Sequence, residues 1–435
     1  MSRFTFRISY RINAALVWFL FAYRYVVLAE REPLATQSQG HSRRLDQLVS
    51  TSNGQLCLVA DIDPKVNDGP ESYGLTTFND KIYFGGKLPG TDQTALWSLD
   101  PDNGILKVES DVIQKPYYLT IFQNKLYFFA RDEAHGYELW SFDGTHAKLE
   151  ADIYPGPDGS VAPPSYDGVG IVEFDNKIYF SANDGVHGEE LWSFDGTTAS
   201  MVADIMPGLE SSSPLGMTVY NNQLFFGAIT KLFTNGVIQS TSVFSYDGSL
   251  LHLVVEYTYA ESRHPPYSMA MLGNKLYYNE FGLAYYDFDT GDDSVILVPD
   301  VFSDPVDLHL FQDKIYFSAE RFYPVVKREI FSFDGTTSTQ ITSAGRPDRR
   351  WTHFFEFHNK LYFVAETGPD VYSSRGVFWS FDGTTSTKEA DIDIISYAVE
   401  ENTYGPVGAV WAVYKDKLYF TAAMDDSSIG FSIWS

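Results

Sequence analysis

The sequence predicts an all-β fold, and three observations lead to it. A short run of the form Asn/Asp-Lys-Ile/Leu-Tyr-Phe, or a close variant, recurs eight times in 435 residues: DKIYF (80), NKLYF (124), NKIYF (176), NQLFF (222), NKLYY (274), DKIYF (313), NKLYF (359) and DKLYF (416). The copies are 39 to 57 residues apart. Most are followed by Asp-Gly-Thr or a near relative, and a unit so rich in Tyr, Phe, Trp, Ile, Val and Thr, with turns so closely spaced, leaves no room for helices. The last copy stops at FSIWS (431–435), and the piece it lacks stands at the other end, where SNGQLCLVADIDP (52–64) matches DGTTASMVADIMP (195–207). Together these predict an eight-bladed β-propeller of four-stranded antiparallel blades. The ring is expected to close by pairing of residues 55–62 with 429–435, which leaves no open sheet edge.

The second copy shows the expected unit. Its strands read YLTIF (118–122), KLYFFA (125–130), YELWSFD (137–143) and AKLEADI (147–153). The dipeptide QN joins the first pair and DGT the last, where Asp-Gly is expected to supply the positive backbone angles of a tight hairpin. Runs such as KIYF and LWSF are apolar at nearly consecutive positions, as expected when neighbouring blades cover both faces of a sheet. YDFDTGDD (286–293) is read as a hairpin and not as a calcium loop, because it lacks the loop's spacing.

The paired phrases ARDEAHGYELWSFDGTHAKLEADIYPG (130–156) and ANDGVHGEELWSFDGTTASMVADIMPG (182–208) resemble the ELWxxDGT repeat family of bacterial surface-associated or secreted proteins. The resemblance covers residues 54–435 and is strongest in the second and third copies. It implies a propeller in an extracytoplasmic setting and carries no catalytic residues.

Residues 1–29 have a basic start (Arg3, Arg7, Arg11), an apolar run and small residues Val27 and Ala29 placed for cleavage, so they read as a signal peptide, or as a signal anchor through residues 12–29. Residues 30–53 are polar and patternless, a flexible linker, and residues 54–435 form the propeller. The net charge is −26, although the first 53 residues carry seven Arg against three acids. An acidic body repels phosphate backbones, which excludes nucleic acid as an expected partner and leaves the membrane only through the N-terminal segment. The one cysteine, Cys57, excludes an intrachain disulfide.

In such a blade the NK and DGT turns lie on one face, and the longer connections gather on the other, where function is expected to concentrate. Tyr257, Tyr259, Tyr267, Trp351, Tyr397 and Tyr404 are candidates for stacking on a sugar or anchoring a protein, and Arg346, Arg349 and Arg350, an isolated basic island in an acidic body, are candidates for gripping a carboxylate or sulfate group. The competing reading is that the aromatics pack over blade rims and the arginines sit in a solvated loop. Asp132 with His135, and Asp184 with His187, are the metal-ligating candidates for a divalent cation such as calcium; their competing role is to shape a turn. No other cofactor is indicated. Asp61, Asp111, Asp152, Asp204, Asp300 and Asp391 recur at the end of the fourth strand, read as turn-fixing acceptors before a cation-attracting ring. No His-Glu-x-x-His, phosphate loop or Gly-x-Ser-x-Gly is present. The expected function is a secreted or cell-surface module binding protein or glycan through the long-loop face. The alternatives are an extracellular carbohydrate-active enzyme using channel-mouth carboxylates, and a purely structural surface repeat protein.

Overall fold

The computed structural model describes residues 58–61, and residues 74–434 apart from 89–90, 92, 111–112, 162–169, 233–237, 263, 281, 297–304, 322–326, 343–353, 368–374, 395–410 and 424–430. All of them lie in the unit Gln47–Ser435. The signal, anchor and linker assignments fall outside the described residues. Among the described residues no helix is long and apolar enough to cross a membrane.

The chain forms four-stranded antiparallel blades of a β-propeller, and eight such sheets are present among the described residues. In the second, the strands are Gln114–Phe122, Lys125–Asp132, Gly136–Phe142 and Ala147–Ala151, hydrogen-bonded in sequence order. The first strand starts earlier than expected because irregular register at Gln114/Tyr117 and Tyr117/Thr120 lets it run on past the regular ladder. Seven sheets follow this order. The remaining one takes Trp411–Tyr414, Lys417–Ala423 and Phe431–Trp434 from the C-terminus and Leu58–Asp61 from the N-terminal side, with Leu58 opposite Trp434 and Asp61 opposite Ser432.

Both turn motifs have a local cause. At seven of the eight NK turns two successive residues adopt positive φ, as at Gln123 (+45°) and Asn124 (+59°) or Asn221 (+47°) and Asn222 (+56°), the conformation a two-residue hairpin needs to match strand twist. At the DGT turns only the glycine does so, as Gly144 and Gly196 do at +100°. The aspartate contributes its side chain instead: Asp143 Oδ1 accepts from Thr145 N (2.7 Å), Thr145 Oγ1 (2.6 Å) and His146 N (2.8 Å). Asp195, Asp334 and Asp382 repeat this pattern. The segment after Asp287 is a hairpin between Leu283–Asp287 and Asp293–Ile296.

The consecutive apolar residues face opposite ways. Leu126 and Phe128 pack with Phe78, Tyr83 and Leu96 of the first sheet, whereas Tyr127 and Phe129 pack with Ile178, Phe180 and Phe194 of the third. Each such buried aromatic contributes about 1.5–3 kcal/mol. The same layering joins the third sheet to the fourth, the fourth to the fifth, the fifth to the sixth and the sixth to the seventh. Phe378 then stacks on Phe420 with centroids 4.9 Å apart, joining the seventh to the sheet completed by Leu58–Asp61. Tyr414 and Tyr419 of that sheet pack with Ile82 and Phe84 of the first.

Candidate ligand-binding site

The first strand of a sheet contacts the first strand of its neighbour: Leu215–Tyr220 lies against Met269–Leu272, and Met269–Leu272 against Val306–Phe311. These strands are therefore innermost, and where the blade-to-blade connections enter them lies an open cavity of about 270 Å³. Thr218, Tyr267, Ser268, Asp307, His309 and Phe354 line it, from four successive sheets.

The lining is held in place from behind. Asn279 Oδ1 accepts from the backbone N–H of Tyr267 (3.0 Å) and Ser268 (2.8 Å), and Ser268 Oγ accepts from Leu308 N (2.7 Å), tying the fifth sheet to the sixth. His264 meets the Tyr267 ring edge-on at 4.8 Å. His309 Nε2 lies 2.9 Å from Glu356 Oε1, linking the sixth sheet to the seventh.

A local irregularity marks the cavity. Counted back four residues from the end of the first strand, Gly74 (φ +79°), Tyr118 (+56°), Gly216 (+64°) and Asp307 (+55°) occupy one repeat position, all in the left-handed region. At Gly216 a side chain is also excluded by space, since a Cβ there would come within 2.6 Å of the Tyr267 backbone. Asp307 stands where a glycine suits the backbone, and it is one of the residues that line the cavity.

Of the residues singled out from the sequence, Tyr267 reaches the cavity. Tyr257 does not: half-buried, it packs in the core between the fourth and fifth sheets and hydrogen-bonds through its hydroxyl to Tyr278. Burial raises its phenol to about 12. Tyr259 falls in the strand Leu251–Ser262. Arg346, Arg349, Arg350, Trp351, Tyr397 and Tyr404 lie outside the described residues.

The Asp–His pairs build turns. Asp132 Oδ1 accepts from Ala134 N (2.9 Å) and His135 N (2.7 Å), while His135 Nδ1 lies 2.8 Å from Asp132 Oδ2. Asp184 repeats this with Val186 N, His187 N and His187 Nδ1. Hydrogen bonding to the carboxylate raises each imidazole above its usual value. Each pair offers two ligands, and among the described residues no group of three metal-binding side chains converges. Of the recurrent fourth-strand aspartates, Asp152 and Asp204 are exposed, and Asp111 and Asp300 lie outside the described residues.

The glutamate of the ELW motif is a structural device that the motif alone does not reveal. Glu138 is fully buried, and its carboxylate accepts from Ile153 N (3.0 Å), Tyr154 N (3.0 Å) and Ser160 Oγ (2.6 Å). Glu190 does the same for Ile205 N, Met206 N and Ser212 Oγ. The acid thus folds the blade-to-blade loop back onto its own sheet. Burial pushes Glu138 up to about 7 against the lowering effect of these bonds.

No family model matches the chain, and no curated protein matches it. Solved structures do resemble it. The computationally designed Ika8 protein is 13% identical with a TM-score of 0.51, over 86% of this chain and 99% of that one. An oligogalacturonate lyase in complex with manganese is 12% identical with a TM-score of 0.47, over 89% and 94%. The β-propeller domain of the Trilobed protease from Pyrococcus furiosus is 11% identical with a TM-score of 0.44, over 74% and 99%. The first likeness bears on the fold alone, and the other two are too loose to carry any argument.

Proposed function

We propose that the eight sheets are the blades of one closed ring, and that this is a secreted or surface-held binding module taking a glycan ligand at the channel mouth. The observation that carries the reading is the cavity of about 270 Å³ in which aromatic Tyr267 and Phe354 stand beside Asp307, Ser268 and Thr218. Apolar rings for the faces of a sugar, with a few fixed polar groups for its hydroxyls, are the usual composition of such a site. Its volume suits one sugar unit, so a longer glycan would continue onto the surrounding loops. Trp351, which stands three residues before Phe354, and Arg346, Arg349, Arg350, Tyr397 and Tyr404 are the proposed contacts there. The ELWxxDGT resemblance supports the extracytoplasmic setting. The Asp132–His135 and Asp184–His187 turns remain the proposed places for a divalent cation.

Turnover is the second reading, favoured by Asp307 and His309 lining one cavity. An oligosaccharide panel applied to the full chain separates the two: saturable binding without release of reducing sugar supports the module, and release that is lost in Asp307→Asn supports the enzyme.

A further inference from the structure

Three sheets carry the same ion cluster beside the DGT hairpin. In the second, Glu150 has a side chain 2% exposed and accepts from Lys125 Nζ (3.1 Å), Lys148 Nζ (2.5 Å) and Ser141 Oγ (2.7 Å). In the first, Glu109 accepts from Lys81 (3.2 Å), Lys107 (2.5 Å) and Ser98 (2.6 Å). In the seventh, Glu389 accepts from Ser380 (2.5 Å) and faces Lys360 at 3.5 Å. A carboxylate held between the lysine that opens the second strand and a serine of the third is thus a repeated element of this fold.

The sixth sheet keeps the lysine and the serine but not the acid. Lys314 opens the strand Lys314–Arg321, and Ser332 pairs with Tyr316 as Ser141 pairs with Tyr127. Phe331 lies opposite Gln340 as Trp140 lies opposite Leu149, so the next residue, Ile341, takes the place of Glu150. Beside it is a cavity of about 400 Å³, lined by Lys314, Ser332, Thr339 and Ile341 and by Thr384 and Thr385 from the seventh sheet's hairpin. Lys314 is half-buried and, among the described residues, forms no ion pair. Asp334 feels its charge, but Asp334 Oδ1 is occupied by Thr336 and Thr337. The tyrosines agree: a glutamate adds to the raised state of Tyr83, Tyr127 and Tyr362, whereas Tyr316 is raised by burial alone.

We propose that this cavity binds the carboxylate of an acidic sugar, with Lys314 and Ser332 holding its oxygens as they hold the chain's own glutamate in other sheets. The hydroxyls of Thr339 and Thr385, and Thr384 Oγ1 as an acceptor because its proton goes to Asp382, then meet the sugar's hydroxyls, and the half-open cavity has room for a single ring. This site is separate from the channel mouth and stands or falls independently of it.

Calorimetric titration of the full chain with glucuronate tests the proposal, with glucuronate methyl ester, glucose and sulfate as competitors and melting curves confirming that each variant folds. Glucuronate is expected to bind saturably, and Lys314→Met and removal of the ligand's charge in the methyl ester are each expected to weaken binding about tenfold or more. Ile341→Glu, which supplies the chain's own carboxylate, is expected to abolish binding, while Lys360→Met leaves it unchanged. No binding to the unaltered chain, equal binding by either Lys314→Met or Ile341→Glu, or ester, glucose or sulfate competing as well as glucuronate would each overturn it. Ile341→Glu keeps the test decisive if Lys314→Met fails to fold.

Discussion

The Tyr414 hydroxyl donates to Asp102 Oδ2 at 2.9 Å, joining the sheet that contains the C-terminus to the first sheet across 312 residues of chain. Thr77 Oγ1 donates to the carbonyl of Val413 at 2.7 Å across the same seam, and Lys415 also pairs with Asp102. The first prediction concerns this seam. With Cys57 replaced by serine, cysteines at Asp61 and Ser432, which are partners in register, are expected to form a disulfide on mild oxidation and give a faster band on a non-reducing gel. Failure to crosslink under conditions that preserve the fold would count against a closed ring.

The DGT turns predict acid sensitivity. Hydrogen bonds from the threonines and following backbone hold Asp143, Asp195, Asp334 and Asp382 down at about 2. A depressed carboxylate contributes stability that is present above its unfolded value of about 3.9 and is lost as pH falls through the folded value. Melting temperature is therefore expected to drop between pH 4 and pH 2. Asparagine at all four positions keeps the acceptor oxygen and should flatten that part of the curve.

Glu138 predicts the opposite slope. Its folded value is raised to about 7, so the stability it contributes is full below its unfolded value and declines as pH rises through 7. When protonated, its O–H can donate to Ser160 Oγ, whose own proton then turns away. Glu138→Ala leaves Ile153 N and Tyr154 N without their acceptor, and Ser160 Oγ with only the Tyr137 carbonyl at 3.4 Å, and is expected to cost about 3 kcal/mol in urea unfolding. It should also abolish this pH slope.

The glycine after each motif histidine is fixed by a neighbouring loop. At Gly188, φ is +71° and a Cβ would come within 2.1 Å of the Glu210 carbonyl oxygen. At Gly136, φ is +61° and a Cβ would meet Gly159 N at 2.5 Å. Gly188→Ala is expected to destabilise by about 2 kcal/mol or more, read as a lower urea midpoint. An unchanged midpoint would contradict the close approach.

What the sequence made legible is what local chemistry decides. Paired turn residues, Asp-Gly and alternating burial in KIYF act within a few positions, so the blades and the return of residues 58–61 to the last sheet could be read directly. The role of Glu138 could not, because its partners lie 15 to 22 residues downstream and become neighbours only when the loop folds back. A signal was nonetheless present: each ELW acid is followed, at the spacing of Ser160 and Ser212, by a serine. Tyr257 reads like any loop aromatic, and only its contact with Tyr278 assigns it to packing. The channel cavity draws single residues from four sheets, so no contiguous motif announces it. Asp307 could have been found by aligning the first strands, where it replaces glycine.

The measurement that bears most directly on the account is calorimetric titration of the full chain with a panel of neutral and acidic oligosaccharides, repeated on Tyr267→Ala and Asp307→Asn. The account predicts saturable binding of at least one glycan, weakened about tenfold or more by each substitution while the melting temperature stays close to that of the unaltered chain. Binding that both variants retain in full, or no binding by any member of the panel, would contradict a glycan site at the channel mouth.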